Sequence, residues 1–239
     1  MAEVLARRGL TISGCDLADN ERTRRLASLG MVIHRGHDPS HLDGVDALVV
    51  TAAVSNDDPE VKAAWERGLP IVRRAEMLAE LMRGKLGVAI AGTHGKTTTT
   101  ALAGHLLIEA GADPTVIVGG RAFSPGSHAR VGEGSALVCE ADEYDRSFLE
   151  LAPRVAVITN LEPEHLDCYE NVESLREAFI TFANRASVFG GVVLCADDPG
   201  AWGLRDQVRR PVVGYGVGAD ADLRLEMMES RESGTRFRV

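Results

Sequence analysis

Lys96 stands inside Gly92-Thr93-His94-Gly95-Lys96-Thr97-Thr98, a run of small, basic and hydroxyl residues spaced closely enough to grip a phosphate. Gly92 and Gly95 let the backbone approach an anion with no Cβ in the way. Lys96 is placed to reach outer phosphate oxygens, and the Thr97 hydroxyl to hold Mg²⁺. Thr93, His94 and Thr98 complete the loop; His94 either shapes it or touches substrate, and the residues leave that choice open. The longer phosphate-loop pattern fails at Ile90, which occupies the place of its first glycine, so Gly-x-x-Gly-Lys-Thr remains. The bland alternative is a glycine-capped helix start with a chance lysine.

Two further segments are expected on the same edge. Glu140 closes the apolar run Ser135-Ala-Leu-Val-Cys-Glu140, where an acid ending a buried strand needs a partner such as Mg²⁺. Asp142, Glu143 and Asp145 follow it and either add polar groups to that edge or form a solvated turn or helix start, the reading favoured for Asp145. His165 lies in Asn160-Leu-Glu-Pro-Glu-His165-Leu-Asp167, just past another apolar run. An imidazole there ligates a second Mg²⁺, orients a phosphate or is merely structural. Asp197-Asp198-Pro199 either borders a nucleotide or opens a helix in the ordinary way. His34, His37, His41 and His128 sit in loops with no acids arranged around them in sequence.

Strands must alternate with helices to bring those segments together. Leu86-Gly-Val-Ala-Ile-Ala91 reads as a strand and the residues after Lys96, to 110, as a helix, so the loop lies at a helix N-terminus where the macrodipole favours anions. Before it, strands are expected at 10–16, 31–34, 46–51 and 70–73, with helices at 2–9, 20–29, 59–67 and through 82; Gly84-Lys85 is a hinge candidate. This pattern implies a parallel, Rossmann-like sheet. Asp16 ends its first strand, either as a ribose contact or as an ordinary polar residue, and no Gly-x-Gly-x-x-Gly precedes it. After the loop helix, strands are expected at 115–118, 135–140, 155–160, 191–195 and 211–216, a long helix at 172–189, a surface loop at 121–134 and a terminal β pair at 222–227 and 235–239. The domains read as 1–84 and 85–239.

Composition excludes several classes. The 239 residues carry 26 Lys+Arg against 35 Asp+Glu, a net charge of −9, which argues against a general nucleic-acid or membrane-surface binder. No apolar stretch approaches the ~20 residues of a membrane span, and the N-terminus has no secretory signal pattern. Cys15, Cys139, Cys168 and Cys195 are scattered without a Cys-x-x-Cys pair; all but Cys168 lie in apolar surroundings and read as buried thiols in a reducing cytoplasm, not a disulfide or zinc set.

Three motifs together, Ala91-Gly-Thr-His-Gly-Lys-Thr-Thr-Thr-Thr100, Glu140-Ala-Asp-Glu-Tyr-Asp-Arg-Ser-Phe-Leu149 and Thr159-Asn-Leu-Glu-Pro-Glu-His-Leu-Asp167, resemble the Mur ligases. The opening Ala2-Glu-Val-Leu-Ala-Arg-Arg-Gly with Ser13-Gly-Cys-Asp16, and Val50-Thr-Ala-Ala-Val-Ser-Asn-Asp-Asp-Pro-Glu60, look like the family's UDP-binding domain. The resemblance implies a truncated Rossmann-like domain followed by an ATP-binding P-loop central domain. It implies a cytoplasmic step of peptidoglycan synthesis, in which ATP and Mg²⁺ activate the lactyl carboxylate of UDP-N-acetylmuramate as an acyl phosphate for attack by L-alanine. Lys96 is then the phosphate-neutralising group, Thr97 and Glu140 match the family's magnesium positions and His165 its second metal ligand. The family's third domain and its N-terminal glycine loop are not seen in the sequence, so a fragment without ligase turnover is expected. A preformed tripeptide in place of alanine, a P-loop NTPase and a non-catalytic nucleotide-binding remnant remain as rivals. Oligomeric state is not legible.

Overall fold

The structure, a computed structural model, describes residues 1–120, 128–164, 168–231 and 234–239. The chain forms two compact units, Met1–Lys85 with Ala101–Leu137, and Leu86–Thr100 with Val138–Val239.

The first unit opens with α1 (Ala2–Arg7), β1 (Ser13–Asp16), α2 (Glu21–Ser28) and β2 (Val32–Arg35), and β1 and β2 pair in parallel. A 3₁₀ turn at Pro39–Leu42 leads to β3 (Leu48–Val50), α3 (Pro59–Arg67), β4 (Ile71–Arg73) and α4 (Arg74–Met82), with β3 and β4 again parallel. Local signals set α3. Asp58 caps its N-terminus by accepting from the Glu60 N–H, Pro59 supplies a helical φ at the first turn, and Gly68 stops it at φ +67°. Its apolar face buries Ala63 and Ala64 against Leu42, Leu48, Leu69 and Ile71.

Next come β5 (Leu86–Ala91) and α5 (Lys96–Glu109), joined by the glycine loop. In the first unit β6 (Thr115–Ile117) pairs antiparallel with β7 (Ala129–Arg130), so the expected surface loop at 121–134 is corrected beyond residue 128; residues 121–127 lie outside the described set. The reason is close packing: a Cβ on Gly132 or Gly134 would come within 2.1 or 1.9 Å of the Asp113 or Ala112 carbonyl oxygen. Asp113 accepts from the Glu133 N–H at 2.8 Å and from Arg130 at 2.6 Å. These donors, the Glu133 amide first, hold its carboxyl below the ordinary 3.8. A lowered folded pKa contributes stability that is complete above the unfolded value and is lost as pH falls through the folded one. The Tm deficit of Asp113→Asn relative to wild type is therefore expected at pH 7 and to shrink below about pH 4; a pH-independent deficit contradicts this.

The second unit continues with β8 (Ala136–Glu140), β9 (Val155–Ile158), α6 (Val172–Asn184), β10 (Gly191–Cys195), α7 (Pro199–Trp202), β11 (Val212–Gly216) and β12 (Leu223–Arg224). Its strands lie in the order β12-β11-β10-β9-β5-β8, and β12 through β5 run parallel. The near-continuous apolar strands agree with a sheet covered on both faces: Ala89, Ile90, Ala91, Ala156, Ile158, Val192 and Leu194 are fully buried. Phe148 stacks against Phe182 and meets Phe179 edge-on, fixing α6 over this core. The expected helix at 172–189 ends at Asn184, because Ser187 donates its N–H to Pro153 O and Gly190 fits where a Cβ would lie 1.7 Å from Arg154 O. The terminal pairing also differs from expectation. The short strand at 223–224 joins β11, and β13 (Met227–Arg231) pairs antiparallel with β14 (Gly234–Arg238). No helix among the described residues is long and apolar enough to cross a membrane.

Candidate functional site

The glycine loop is built onto the end of β9. Gly92 has φ +139°, and a Cβ there would sit 2.0 Å from Thr159 Oγ1 and 3.1 Å from the Asn160 N and O. Thr159 donates its hydroxyl to His94 O at 2.7 Å, and Asn160 grips the same residue twice, accepting from His94 N at 2.7 Å and donating to His94 O at 3.1 Å. Thr93 closes the latch by accepting from the Glu162 N–H at 2.9 Å. Gly95, at φ +80°, turns the chain into α5, whose first-turn N–H groups lack intrahelical acceptors by helix geometry. The main chain of His94 therefore shapes the loop, and its exposed imidazole lies 3.5 Å from Glu164 and 3.8 Å from Glu162.

Lys96 is the first residue of α5, and its ammonium donates to Gly92 O at 2.6 Å, Thr93 O at 3.2 Å and Glu143 Oε1 at 2.8 Å. The Glu143 side chain is 2 % exposed and that of Lys96 17 %. This carboxylate is the residue that sequence reasoning does not single out, since nothing local separates it from the acids on either side. Asp142 and Asp145 do fit a solvated turn, accepting from the Tyr144 and Ser147 N–H groups. What singles out Glu143 is a distant residue: buried Tyr169 donates its hydroxyl to Glu143 O at 2.6 Å, and Arg146 lies over the Tyr169 ring at 4.9 Å. Burial pushes the Tyr169 phenol well above its ordinary pKa, so the proton needed for that bond is retained. Tyr169→Phe is expected to cost about 1 kcal/mol, because it removes the shorter of two bonds to Glu143 O and leaves only the Arg146 N–H at 3.1 Å; unchanged denaturant stability contradicts that role.

Glu140 ends β8 and is half-buried. The next residue, Ala141, donates to Ile90 O on β5, which puts Glu140 on the edge that carries the loop two residues after Ile90. Thr97 is half-buried and Thr98 exposed in the first turn of α5. A hydroxyl and a carboxylate supply the hard oxygen donors that suit Mg²⁺, so these residue types fit that ion. His165 and its neighbours Leu166 and Asp167 lie outside the described residues. Asp198 opens α7 by accepting from Ala201 N, and also accepts from Leu161 N; Asp197 accepts from Val217 N and Gly218 N. Asp198 thus opens a helix, and the two aspartates tie the ends of β9 and β11 to the segment after β10. In the first unit Asp16 accepts from Ala18 N.

Two expectations about the first unit are corrected. His37 and His41 do have acids beside them: His37 Nδ1 is 2.8 Å from Asp58 and His41 Nδ1 2.7 Å from Glu60. Cys15 is not in an apolar setting, for its Sγ donates to Glu60 Oε2 at 3.2 Å. The acids come from the start of α3, about twenty residues past the histidines, and local sequence carries no sign of this. All four cysteines are free, and of the three expected to be buried only Cys139 is; Cys15 and Cys195 are half-buried.

A parallel sheet with a glycine loop between β5 and α5, a lysine at the helix start and an acid ending the neighbouring strand defines the class of P-loop α/β proteins. Residues 1–86 match the Mur ligase family, catalytic domain, and residues 90–239 the Mur ligase middle domain. The chain belongs to the Mur ligase family. It is 50 % identical over 240 residues to the UDP-N-acetylmuramate–L-alanine ligase of Halorhodospira halophila, covering all of this chain and 49 % of that protein. Among solved structures it is similar to UDP-N-acetylmuramate–alanine ligase from Thermotoga maritima (TM-score 0.82, 29 % identity, 99 % of this chain and 54 % of that one). It is also similar to UDP-N-acetylmuramate:L-alanyl-gamma-D-glutamyl-meso-diaminopimelate ligase from Neisseria meningitides (TM-score 0.84, 25 % identity, all of this chain and 79 % of that one). The chain spans about half the length of the curated relatives it matches.

Proposed function

We propose that this chain is the sugar-nucleotide- and ATP-binding part of an enzyme that joins L-alanine to UDP-N-acetylmuramate in peptidoglycan synthesis. The observation that carries the reading is the 50 % identity, along the whole chain, to a ligase named for that reaction. Residues 1–84 are assigned to the UDP-sugar and residues 85–239 to ATP. The loop amides of residues 92–98 and the Lys96 ammonium bind the triphosphate and offset the charge that develops on the transferring phosphoryl group. To do so the ammonium exchanges one of its three oxygen partners for phosphate oxygen, while Glu143 keeps it aimed at the loop. Thr97, Glu140 and His165 are assigned to magnesium, which supplies charge neutralisation between a phosphate and a carboxylate that must meet. Free thiols throughout agree with a reducing cytoplasm.

The second reading, a ligase that takes a preformed peptide, has the Neisseria structure's fold in its favour but half the sequence identity. The protein that carries this chain, given ATP, Mg²⁺ and UDP-N-acetylmuramate, is expected to release phosphate when L-alanine is added and to yield the amide by mass spectrometry. Phosphate release with the tripeptide alone favours the second reading, and release with no amine dependence contradicts both.

A further inference from the structure

We infer that the first unit carries a transition-metal site, built from Cys15, His41 and Glu60, that takes a Zn²⁺-class ion. The three donors come from three separately fixed elements: the end of β1, the 3₁₀ turn at Pro39–Leu42 and the first turn of α3. Cys15 Sγ, a His41 ring nitrogen and a Glu60 carboxylate oxygen all lie within 4.8 Å of one another. A tetrahedral ion with ligands at about 2.0–2.3 Å sets its donors roughly 3.3–3.8 Å apart. Two of the contacts are already at 3.2 and 2.7 Å, so small side-chain rotations suffice.

The surroundings are those of a prepared site. Glu60 is 5 % exposed, and its carboxylate meets a thiol, an imidazole and the Asp38 N–H. Burying a carboxylate is costly without a compensating charge, and a dication supplies one. Asp58 accepts from the Glu60 N–H at 2.9 Å and fixes that backbone, while His34 stacks on His41 at 4.0 Å and steadies its ring. His37 and Asp58, paired at 2.8 Å, flank Glu60 and form a second overlapping donor group with it. A thiolate, an imidazole and one carboxylate form a soft-to-borderline set that favours zinc-class ions over Mg²⁺. Three protein ligands leave a fourth position for water. On binding, the thiol proton and any proton on His41 Nδ1 leave to solvent as the sulfur and nitrogen lone pairs fill the metal's coordination sphere; nothing is oxidised or reduced.

The test uses the whole chain, freed of metal by a chelator and titrated with Co²⁺ and then Zn²⁺ without nucleotide. Wild type is expected to give a one-to-one complex with a thiolate-to-cobalt charge-transfer band and tetrahedral ligand-field absorption, both erased by one equivalent of Zn²⁺. Cys15→Ser is expected to abolish the charge-transfer band, and His41→Gln to weaken Zn²⁺ binding at least tenfold. Cys168→Ser is expected to leave the spectrum unchanged. Circular dichroism confirms that each variant is folded, and if Cys15→Ser is not, His41→Gln carries the test by the same titration. Absence of the band in wild type, or its survival in folded Cys15→Ser, overturns the site. Neither result bears on the ATP loop, whose oxygen donors contribute no thiolate band.

Discussion

Lys96→Met is expected to lower the stability of the nucleotide-free chain by about 3–5 kcal/mol, the cost of stranding one partner of a buried ion pair. Methionine keeps the aliphatic stem but removes the cation 2.8 Å from a carboxylate that is 2 % exposed. For a chain of this size each kcal/mol moves Tm by roughly 2–4 °C, so a fall on the order of 10 °C is predicted. Glu143→Gln alone is expected to cost less, because a neutral amide oxygen still accepts from Lys96. In the double variant Lys96→Met/Glu143→Gln most of the loss is recovered, since no buried charge is left without its opposite. The cycle therefore yields a coupling energy of at least about 1.5 kcal/mol. Additive single effects in urea denaturation contradict a coupled pair. The result also matters for interpreting activity, because loss of ATP binding in a simple lysine variant mixes chemistry with folding.

Gly92→Ala is expected to have the second large effect. Its φ of +139° lies in the region that L residues rarely adopt, and its new methyl would meet Thr159 Oγ1 at 2.0 Å. Backbone strain alone costs about 1–3 kcal/mol, and the clash displaces the hydroxyl that holds His94 O. A total of about 3 kcal/mol or more follows, together with loss of nucleotide binding, because the loop is detached from β9. Adding Thr159→Ala removes the 2.0 Å contact but neither the φ strain nor the 3.1 Å approaches to Asn160, so partial rescue is predicted. Wild-type Tm for Gly92→Ala contradicts the latch; full rescue by the second substitution contradicts the backbone part of the argument.

What was legible in the sequence was local. The start and stop of α3 at Asp58, Pro59 and Gly68, the apolar runs that became β5, β9 and β10, and the glycine-lysine junction are all written within a few residues. Contacts closed over long separations were not. Glu143 looks like one of a cluster of exposed acids until Tyr169, 26 residues later, covers it. Cys15 and Glu60 are 45 residues apart, and only the meeting of β1 with the start of α3 makes them neighbours. Nor do the terminal strands announce their partners. The residues at 222–227 alternate well enough for a strand, but pairing is decided by which edge is open, and β11 takes the first part while Met227–Arg231 pairs with Gly234–Arg238.

The central claim is that the 92–98 loop receives ATP with Mg²⁺ through Lys96. Calorimetric titration of this chain with ATP and Mg²⁺ tests it most directly, with Lys96→Met/Glu143→Gln as the folded comparison. Saturable binding that weakens when Mg²⁺ is omitted, and is at least about tenfold weaker in the double variant, is predicted from the loss of charge-assisted phosphate bonds. Equal binding by the two proteins contradicts the account.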